Sequence, residues 1–359
     1  MKMLKKAASI VLASAMVVSL AACGSSNDKG SSADTDTFKI GGIGPTTGDN
    51  AIYGTAVKNG IQLAVDEINA AGGINGKQIE YKFEDDQSDA EKSVNAYNTL
   101  KDWGMQALIG TTTSTPCTAV VEETHSDNMF QLTPSATAVD SIQYDNAFRM
   151  CFSDPNQGSA SADYIAENKL ATKVAIIYNS SDTYSSGIYQ TFATEAKAKG
   201  LDVVAAEAFT ADNKTDFSVQ IQKAKDAGAE LVFLPIYYQE ASLILAQANK
   251  VGFTPKWFGC DGMDGILDLD GFDASLAEDL MFLTPFTANA TDEATQKFVA
   301  DYKEAFGDTP IQFAADAYDC VYVIKAAAEK EDVTPDKSES DICDALKKGM
   351  TEITYCLLY

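Results

Sequence analysis

Short runs that are apolar at nearly every position alternate with amphipathic stretches of helical spacing through most of this 359-residue chain. Phe38-Lys39-Ile40-Gly41-Gly42-Ile43 reads as a strand. Gly54 to Ala71 reads as a helix, with Val57, Ile61, Ala64, Val65 and Ile68 three and four residues apart, and Gly72-Gly73 ends it. Ile79, Tyr81 and Phe83 alternate as a second strand ending at Asp85-Asp86, a polar helix follows through Leu100, and Ala107-Leu108-Ile109 is a third strand. The same beat returns at residues 129–132, 174–178, 231–234, 256–258 and 280–283. A strand that is apolar on both faces has to be covered on both, so the pattern predicts parallel sheets between helix layers. Two such series, 38–153 and 154–283, predict an α/β chain of two lobes. The helical remainder, 284–359, has no sheet of its own and is expected to return to the first lobe. Each lobe is then a mostly parallel sheet covered by helices, and the crossings between lobes form a hinge.

Charge and composition exclude several functions. There are 27 Lys plus Arg against 52 Asp plus Glu, a net charge of −25, with a single His (His125) and a single Arg (Arg149). Nucleic-acid binding needs clustered basic residues and is excluded as a partner class. Cys117, Cys151, Cys260, Cys320, Cys343 and Cys356 show no CxxC spacing, and one His cannot complete the usual zinc sets, so no metal or cofactor is expected. These cysteines read mainly as small buried hydrophobes, and no pairing is assigned. Gly42-Ile43-Gly44-Pro45 begins like a dinucleotide fingerprint but lacks its third glycine, and no GxSxG, Walker A or HExxH motif occurs. The chain reads as a binding protein and not an enzyme.

The first 22 residues read as a secretory signal. Lys2, Lys5 and Lys6 precede the apolar run Ala7 to Leu20, which falls short of the ~20 apolar residues that span a bilayer. Leu20-Ala21-Ala22-Cys23 resembles a bacterial lipobox, which implies lipidation of Cys23 and attachment to the membrane through it. Residues 23–37 are Gly-, Ser- and Asp-rich and read as a flexible tether. The expected location is extracytoplasmic and lipid-anchored to the cell membrane. Loss of residues 1–22 removes three lysines and no acid, taking the formal charge from −25 to −28.

In open parallel sheets ligands bind beyond the carboxyl ends of strands, where helix N-termini and loop amides converge. The first lobe offers Gly44 to Gly54, Gly110 to Pro116 and Thr133 to Thr137. The second offers Asn179 to Gly187, Pro235 to Glu240 and Gly259 to Asp264. Hydroxyls and amides on one side face tyrosines and an acid on the other, a combination that suits a small zwitterion. Ser114, Ser135 and Thr137 are candidates for its carboxylate, with helix capping as the competing role. Asp261 is the candidate for its ammonium, with a turn at Asp261-Gly262 as the alternative. Tyr53, Tyr184 and Tyr237 would border the ligand or else pack at the rim.

The segments Gly54 to Gly76, Leu108-Ile109-Gly110, Leu132 to Thr137, Tyr184 to Gly187 and Gly259 to Gly262 resemble, in order and spacing, the type 1 periplasmic solute-binding proteins of ABC importers, specifically the branched-chain amino-acid (Leu/Ile/Val) binding family. The resemblance implies that Thr113, Ser114, Ser135, Ala136 and Thr137 hold the amino acid's carboxylate and amine. It further implies that Tyr53 borders the side-chain pocket, that Tyr184 and Tyr237 close over the ligand, and that Asp261 pairs with the ammonium. Asp261 stands where the family often has Glu, one methylene longer. The implied partners are a neutral amino acid and the transmembrane permease subunits, for a monomeric protein. A ligand-sensing lipoprotein acting through a sensor partner, for amino acids or small amides, is the alternative. The family continues past its last helix across the hinge into strands of the second lobe. This sequence stops at Ile353 to Tyr359, so a truncation or frameshift that bares a sheet edge is expected.

Overall fold

The structure, a computed structural model, describes residues 37–354 and 358. The signal, Cys23, Cys356 and the tether up to residue 36 lie outside the described residues. The first lobe contains β1 (Thr37–Gly44), α1 (Ala51–Ala70), β2 (Gln78–Asp85), α2 (Ala90–Asp102), β3 (Ala107–Ile109), α3 (Ser114–Asp127), β4 (Gln131–Thr133) and β5 (Ala147–Arg149). Its sheet is parallel throughout, in the order β2-β1-β3-β4-β5. The second lobe contains α4 (Asp154–Glu167), β6 (Lys173–Asn179), α5 (Thr183–Ala198), β7 (Asp202–Phe209), α6 (Ser218–Asp226), β8 (Leu231–Leu234), α7 (Tyr238–Lys250), β9 (Lys256–Gly259) and β10 (Met281–Phe282). Its sheet is also parallel, ordered β10-β9-β8-β6-β7. The two-lobed α/β architecture expected from the apolar beat is present. Thr37, read as the last residue of the tether, is instead the first residue of β1 and pairs with Gln78.

Burial follows the period of two that a doubly covered strand requires. In β8, Leu231 and Phe233 join the core under α4 and α5 with Ile188 and Phe192, while Val232 and Leu234 join the core with Ile244 and Leu245 of α7. In the first lobe Ile43 and Leu108 pack with Tyr97 and Val120 of α2 and α3, and Ile40 and Ile109 face α1.

After β10 the chain returns as α8 (Glu293–Phe306), α9 (Gln312–Lys330) and α10 (Glu339–Glu352), with α9 against α1 and α10 against α9. Gly60 makes that packing possible, because a Cβ there would lie 2.2 Å from the Ala314 carbonyl oxygen. Gly54, six residues earlier, makes room for the first cleft loop, since a Cβ there would lie 2.0 Å from the Pro45 carbonyl oxygen and push that loop off α1. The return therefore brings the N-terminus of α9 to the cleft as well as covering the first sheet.

Two strands escape the sequence reading. β5 is only three residues long, and β7 (DVVAAEAF) carries two acids and three alanines at the edge of its sheet, where partial exposure removes the all-apolar signature. The five cysteines among the described residues are free, four of them buried and Cys151 half-buried.

Candidate functional site: the cleft between the lobes

The first-lobe wall is built from the loops after β3 and β4, held by their own hydroxyls. Thr133 Oγ1 donates to the Thr111 carbonyl (2.7 Å) and accepts from Ala136 N (3.0 Å). Ser135 Oγ donates to the Thr112 carbonyl (2.7 Å), and Ser114 Oγ accepts from Ala138 N (3.2 Å). Arg149 donates from Nη1 to the carbonyls of Thr137 (2.9 Å) and Ala138 (3.0 Å). The only guanidinium of the chain is thus spent on loop carbonyls and does not present a carboxylate clamp. The capping role weighed for Ser114 is not what it does: its hydroxyl ties the β4 loop to α3, and the N-cap of α3 is Thr113.

With these bonds made, the Ala136 N–H and the Ser135 proton are committed. The hydroxyl oxygens of Thr113 and Thr137, both buried, make no hydrogen bond of ordinary geometry among the described residues, the Thr137 hydroxyl lying beside the Asp154 carboxyl. The first N–H groups of α3 also have no intrahelical acceptor by construction. The result is a rigid, uncharged cradle of short hydroxyls and helix-end amides.

The second-lobe wall carries the charge. Asp261, in the short 3-10 turn Asp261–Met263 after β9, is only 4% exposed. Its Oδ1 accepts from Tyr184 Oη (2.8 Å), which in turn accepts from Gly262 N (3.0 Å). Burial pushes the Asp261 carboxyl up to about 6, with the bonds from Tyr184 and Gln157 pulling the other way. Tyr184 stacks on Tyr237 (centroids 4.8 Å apart), and Tyr237 meets Tyr53 edge-on (5.8 Å). Tyr237 is half-buried and serves as the N-cap residue of α7.

Tyr53 is fully buried and bridges the lobes. From α1 it donates to the Gly262 carbonyl (2.6 Å) and accepts from Tyr238 N (3.2 Å), while its ring stacks on Phe313 of α9 (4.1 Å). Further bonds cross the cleft from Thr115 Oγ1 to Asp182 Oδ1 (3.0 Å) and from Lys214 Nζ to Asp49 Oδ2 (2.6 Å). Asp182 also caps α5 through Ser185 N (3.0 Å).

The first turn of α4 joins the two walls. Asp154 N donates to the Thr137 carbonyl (2.9 Å), and three residues on, Gln157 Oε1 accepts from Asp261 N (3.1 Å). Thr137 and Asp261, singled out on different lobes, are therefore tied to one helical turn.

Asp154, Gln157, Gln312 and Phe313 belong to this cleft and lie outside the loops read from the sequence, while Tyr238 lies in the loop Pro235 to Glu240 without having been singled out. Gln312 Nε2 donates to the Asp261 carbonyl (2.9 Å), and its backbone N donates to Asp264 Oδ2 (2.8 Å). Burial pushes the Asp154 carboxyl up to about 8 against the pull of the neighbouring Thr137 hydroxyl, and Asp261 and Asp182 add to the rise. The Tyr237-Tyr238 doublet was a usable signal. Nothing local marks Gln312, which reaches the cleft only because α9 folds back across α1.

Comparison with known proteins agrees with this geometry. The sequence pattern of the family described as "Periplasmic binding protein" matches residues 37–356. The Leu/Ile/Val-binding protein homolog 3 of Brucella melitensis is 30% identical over 315 residues, covering 86% of this chain and 83% of that protein. The leucine-, isoleucine-, valine-, threonine-, and alanine-binding protein of Pseudomonas aeruginosa is 29% identical, covering 88% of this chain and 84% of its own. Among solved structures, the branched-chain amino acid transporter substrate binding protein LivJ of Streptococcus pneumoniae, in complex with isoleucine, superposes with a TM-score of 0.76 at 30% identity, covering 86% of this chain and 87% of that one. The chain belongs to the periplasmic binding protein family, in its type 1, branched-chain amino-acid-binding branch.

Proposed function

We propose that this protein is the extracytoplasmic, lipid-anchored receptor of an ABC transporter, closing its two lobes around a neutral, branched-chain amino acid and delivering it to a membrane permease. The observation that carries the reading is the pairing of two buried, unpartnered hydroxyls, Thr113 and Thr137, with a buried acid, Asp261, across one cleft. The cradle and the α3 N-terminus suit a carboxylate, whose hydrogen bonds are charge-assisted at about 1.5–3 kcal/mol each. Thr137 and Asp261 suit the ammonium. The rings of Tyr53, Tyr184, Tyr237 and Phe313 suit an aliphatic side chain. Closure is a hinge motion whose bound form is favoured by contacts to both lobes.

Calorimetry on the folded protein should give one-to-one binding of leucine, isoleucine or valine, with a fall in radius of gyration by solution scattering. Folded protein that binds no amino acid sinks the reading. Anchoring is tested separately in cells, where Cys23→Ser should shift the protein from the membrane fraction to the soluble one.

A further inference from the structure

Beside the amino-acid cradle, and sharing Thr113 and Tyr237 with it, lies a cavity of ≈ 210 Å³ between the lobes. Its lining is unlike the aromatic cluster. The first lobe contributes Asp49 and Gln87, the second Asp182, Lys214 and Glu240, and its only aliphatic members are Pro116 and Ala211. Three acids face one cation there. That cation is engaged, with Lys214 Nζ 2.6 Å from Asp49 Oδ2 and 3.7 Å from Glu240 Oε1.

Glu240 is only 5% exposed, on the first turn of α7, and its Oε2 has no hydrogen-bond partner among the described residues. Thr113, 4% exposed, presents a second unpartnered oxygen to the same space. Buried oxygens of this kind cost free energy unless a donor meets them, and an uncompensated buried carboxylate costs most. An aliphatic side chain brings no donor. A carboxylate-ended one adds a fourth negative group against a lysine already bridged. At Glu240 the deficit is one of hydrogen-bond donors, whereas the Thr113 hydroxyl can either donate or accept.

We propose that this annex extends the amino-acid site and takes the end of a longer side chain that carries N–H donors, an amide, ammonium or guanidinium, so that the ligand range reaches beyond branched-chain residues to polar and basic amino acids. The proposal rests on the reading of the cleft as an amino-acid site. The ligand's backbone sits in the cradle, its methylenes pass Tyr237, and its terminal donors meet Glu240. Both Glu240 and Asp182 titrate above the ordinary carboxylate range, chiefly through burial, with Lys214 opposing the rise in each.

The test is competition calorimetry on the intact folded chain with L-leucine, L-glutamine, L-lysine, L-arginine and L-glutamate. The expected result is that at least one of glutamine, lysine and arginine binds within tenfold of leucine or tighter, while glutamate binds at least a hundredfold more weakly. Glu240→Gln should then lower the affinity of the best donor-ended ligand relative to leucine by tenfold or more. Glu240→Met, of similar volume and without a charge, provides a second variant with the same expected direction should Glu240→Gln fold poorly. Leucine binding with all three donor-ended ligands rejected overturns the annex alone, as does a Glu240→Gln ratio equal to that of the parent protein. Rejection of every amino acid, leucine included, overturns the underlying reading together with the proposal.

Discussion

The two walls of the cleft solve recognition by opposite means. The first-lobe wall uses Thr113, Ser114, Ser135 and Thr137, with no charged side chain among them, and locks its loops through the hydroxyl-to-carbonyl bonds of Thr133 and Ser135. The second-lobe wall buries Asp261, held by a phenol and a glutamine, and stacks Tyr184 on Tyr237. A neutral cradle is cheap to keep ready, since each hydroxyl desolvates at modest cost. A buried carboxylate is not, which is why Asp261 is pushed up to about 6 and gains from a cation that arrives with the ligand. The contrast predicts that the second wall carries the larger share of ligand affinity per residue.

The largest effect should therefore come from Asp261→Asn. Removing one partner of a buried charge pair costs about 2–5 kcal/mol, roughly thirty-fold to several thousand-fold in Kd. Calorimetry with leucine measures it. A change below threefold would mean that the ammonium is held by the first wall alone.

Thr137→Val comes next, at about 1.5–3 kcal/mol, or roughly ten- to over a hundred-fold in affinity. Here the two walls make separable predictions. The Thr137 hydroxyl makes no hydrogen bond of ordinary geometry among the described residues and only draws the neighbouring Asp154 carboxyl down, so the valine should shift the Tm of the ligand-free protein little, while binding weakens. A lower Tm with an unchanged Kd would place Thr137 among the groups that merely build the loop.

The same contrast explains what could be read from the sequence. The first wall was legible because its residues are consecutive: Thr113-Ser114 and Ser135-Ala136-Thr137 each follow a strand, and strand ends are where parallel sheets bind ligands. Asp261 and the tyrosines were legible for the same reason. Gln312 and Phe313 were not, because they lie on the first turn of α9 and reach the cleft only by the close packing that Gly60 permits against Ala314. Asp154 and Gln157 were hidden differently. They sit at a helix start whose sequence, Ser153-Asp154-Pro155, reads as a cap and does act as one through Ser153, so its second task of tying Thr137 to Asp261 leaves no separate mark. In the fold, β7 escaped because an edge strand need not be apolar on both faces.

Acid should weaken binding through the second wall. The titratable groups around Asp261 are Tyr53, Tyr184, Tyr237, Asp154, Asp264, Cys151 and Cys260, beside the amides of Gln157 and Gln312, with no cation among them. As pH falls through about 6 the Asp261 carboxyl takes up a proton, and the ammonium then meets a neutral acid. Affinity should be nearly level above that value and fall by up to about tenfold per pH unit below it, since the bound form excludes the proton. Titrations at pH 5 and 7.5 measure this, and Asp261→Asn should abolish the slope. A slope that survives in that variant would assign the proton to another group, with Asp154 the first candidate.

The smallest effect should appear where the walls touch each other and not the ligand. Thr115 Oγ1 donates to Asp182 and accepts from Thr183 N (3.3 Å), a contact that exists only when the lobes meet. Thr115→Val removes it while Asp182 keeps its capping bond to Ser185, so about 1 kcal/mol is lost from the closed form and nothing from the open one. That corresponds to roughly fivefold in Kd. Because the contact forms after encounter, the loss should fall on the dissociation rate, with the association rate unchanged, and it should be equal for leucine, isoleucine and valine, whose side chains stop short of the annex that Thr115 and Asp182 also line. Stopped-flow measurements with two ligands of different side chain decide it. An effect that differs between the ligands would show Thr115 contacting the bound molecule, and would shift part of the recognition back to the neutral wall.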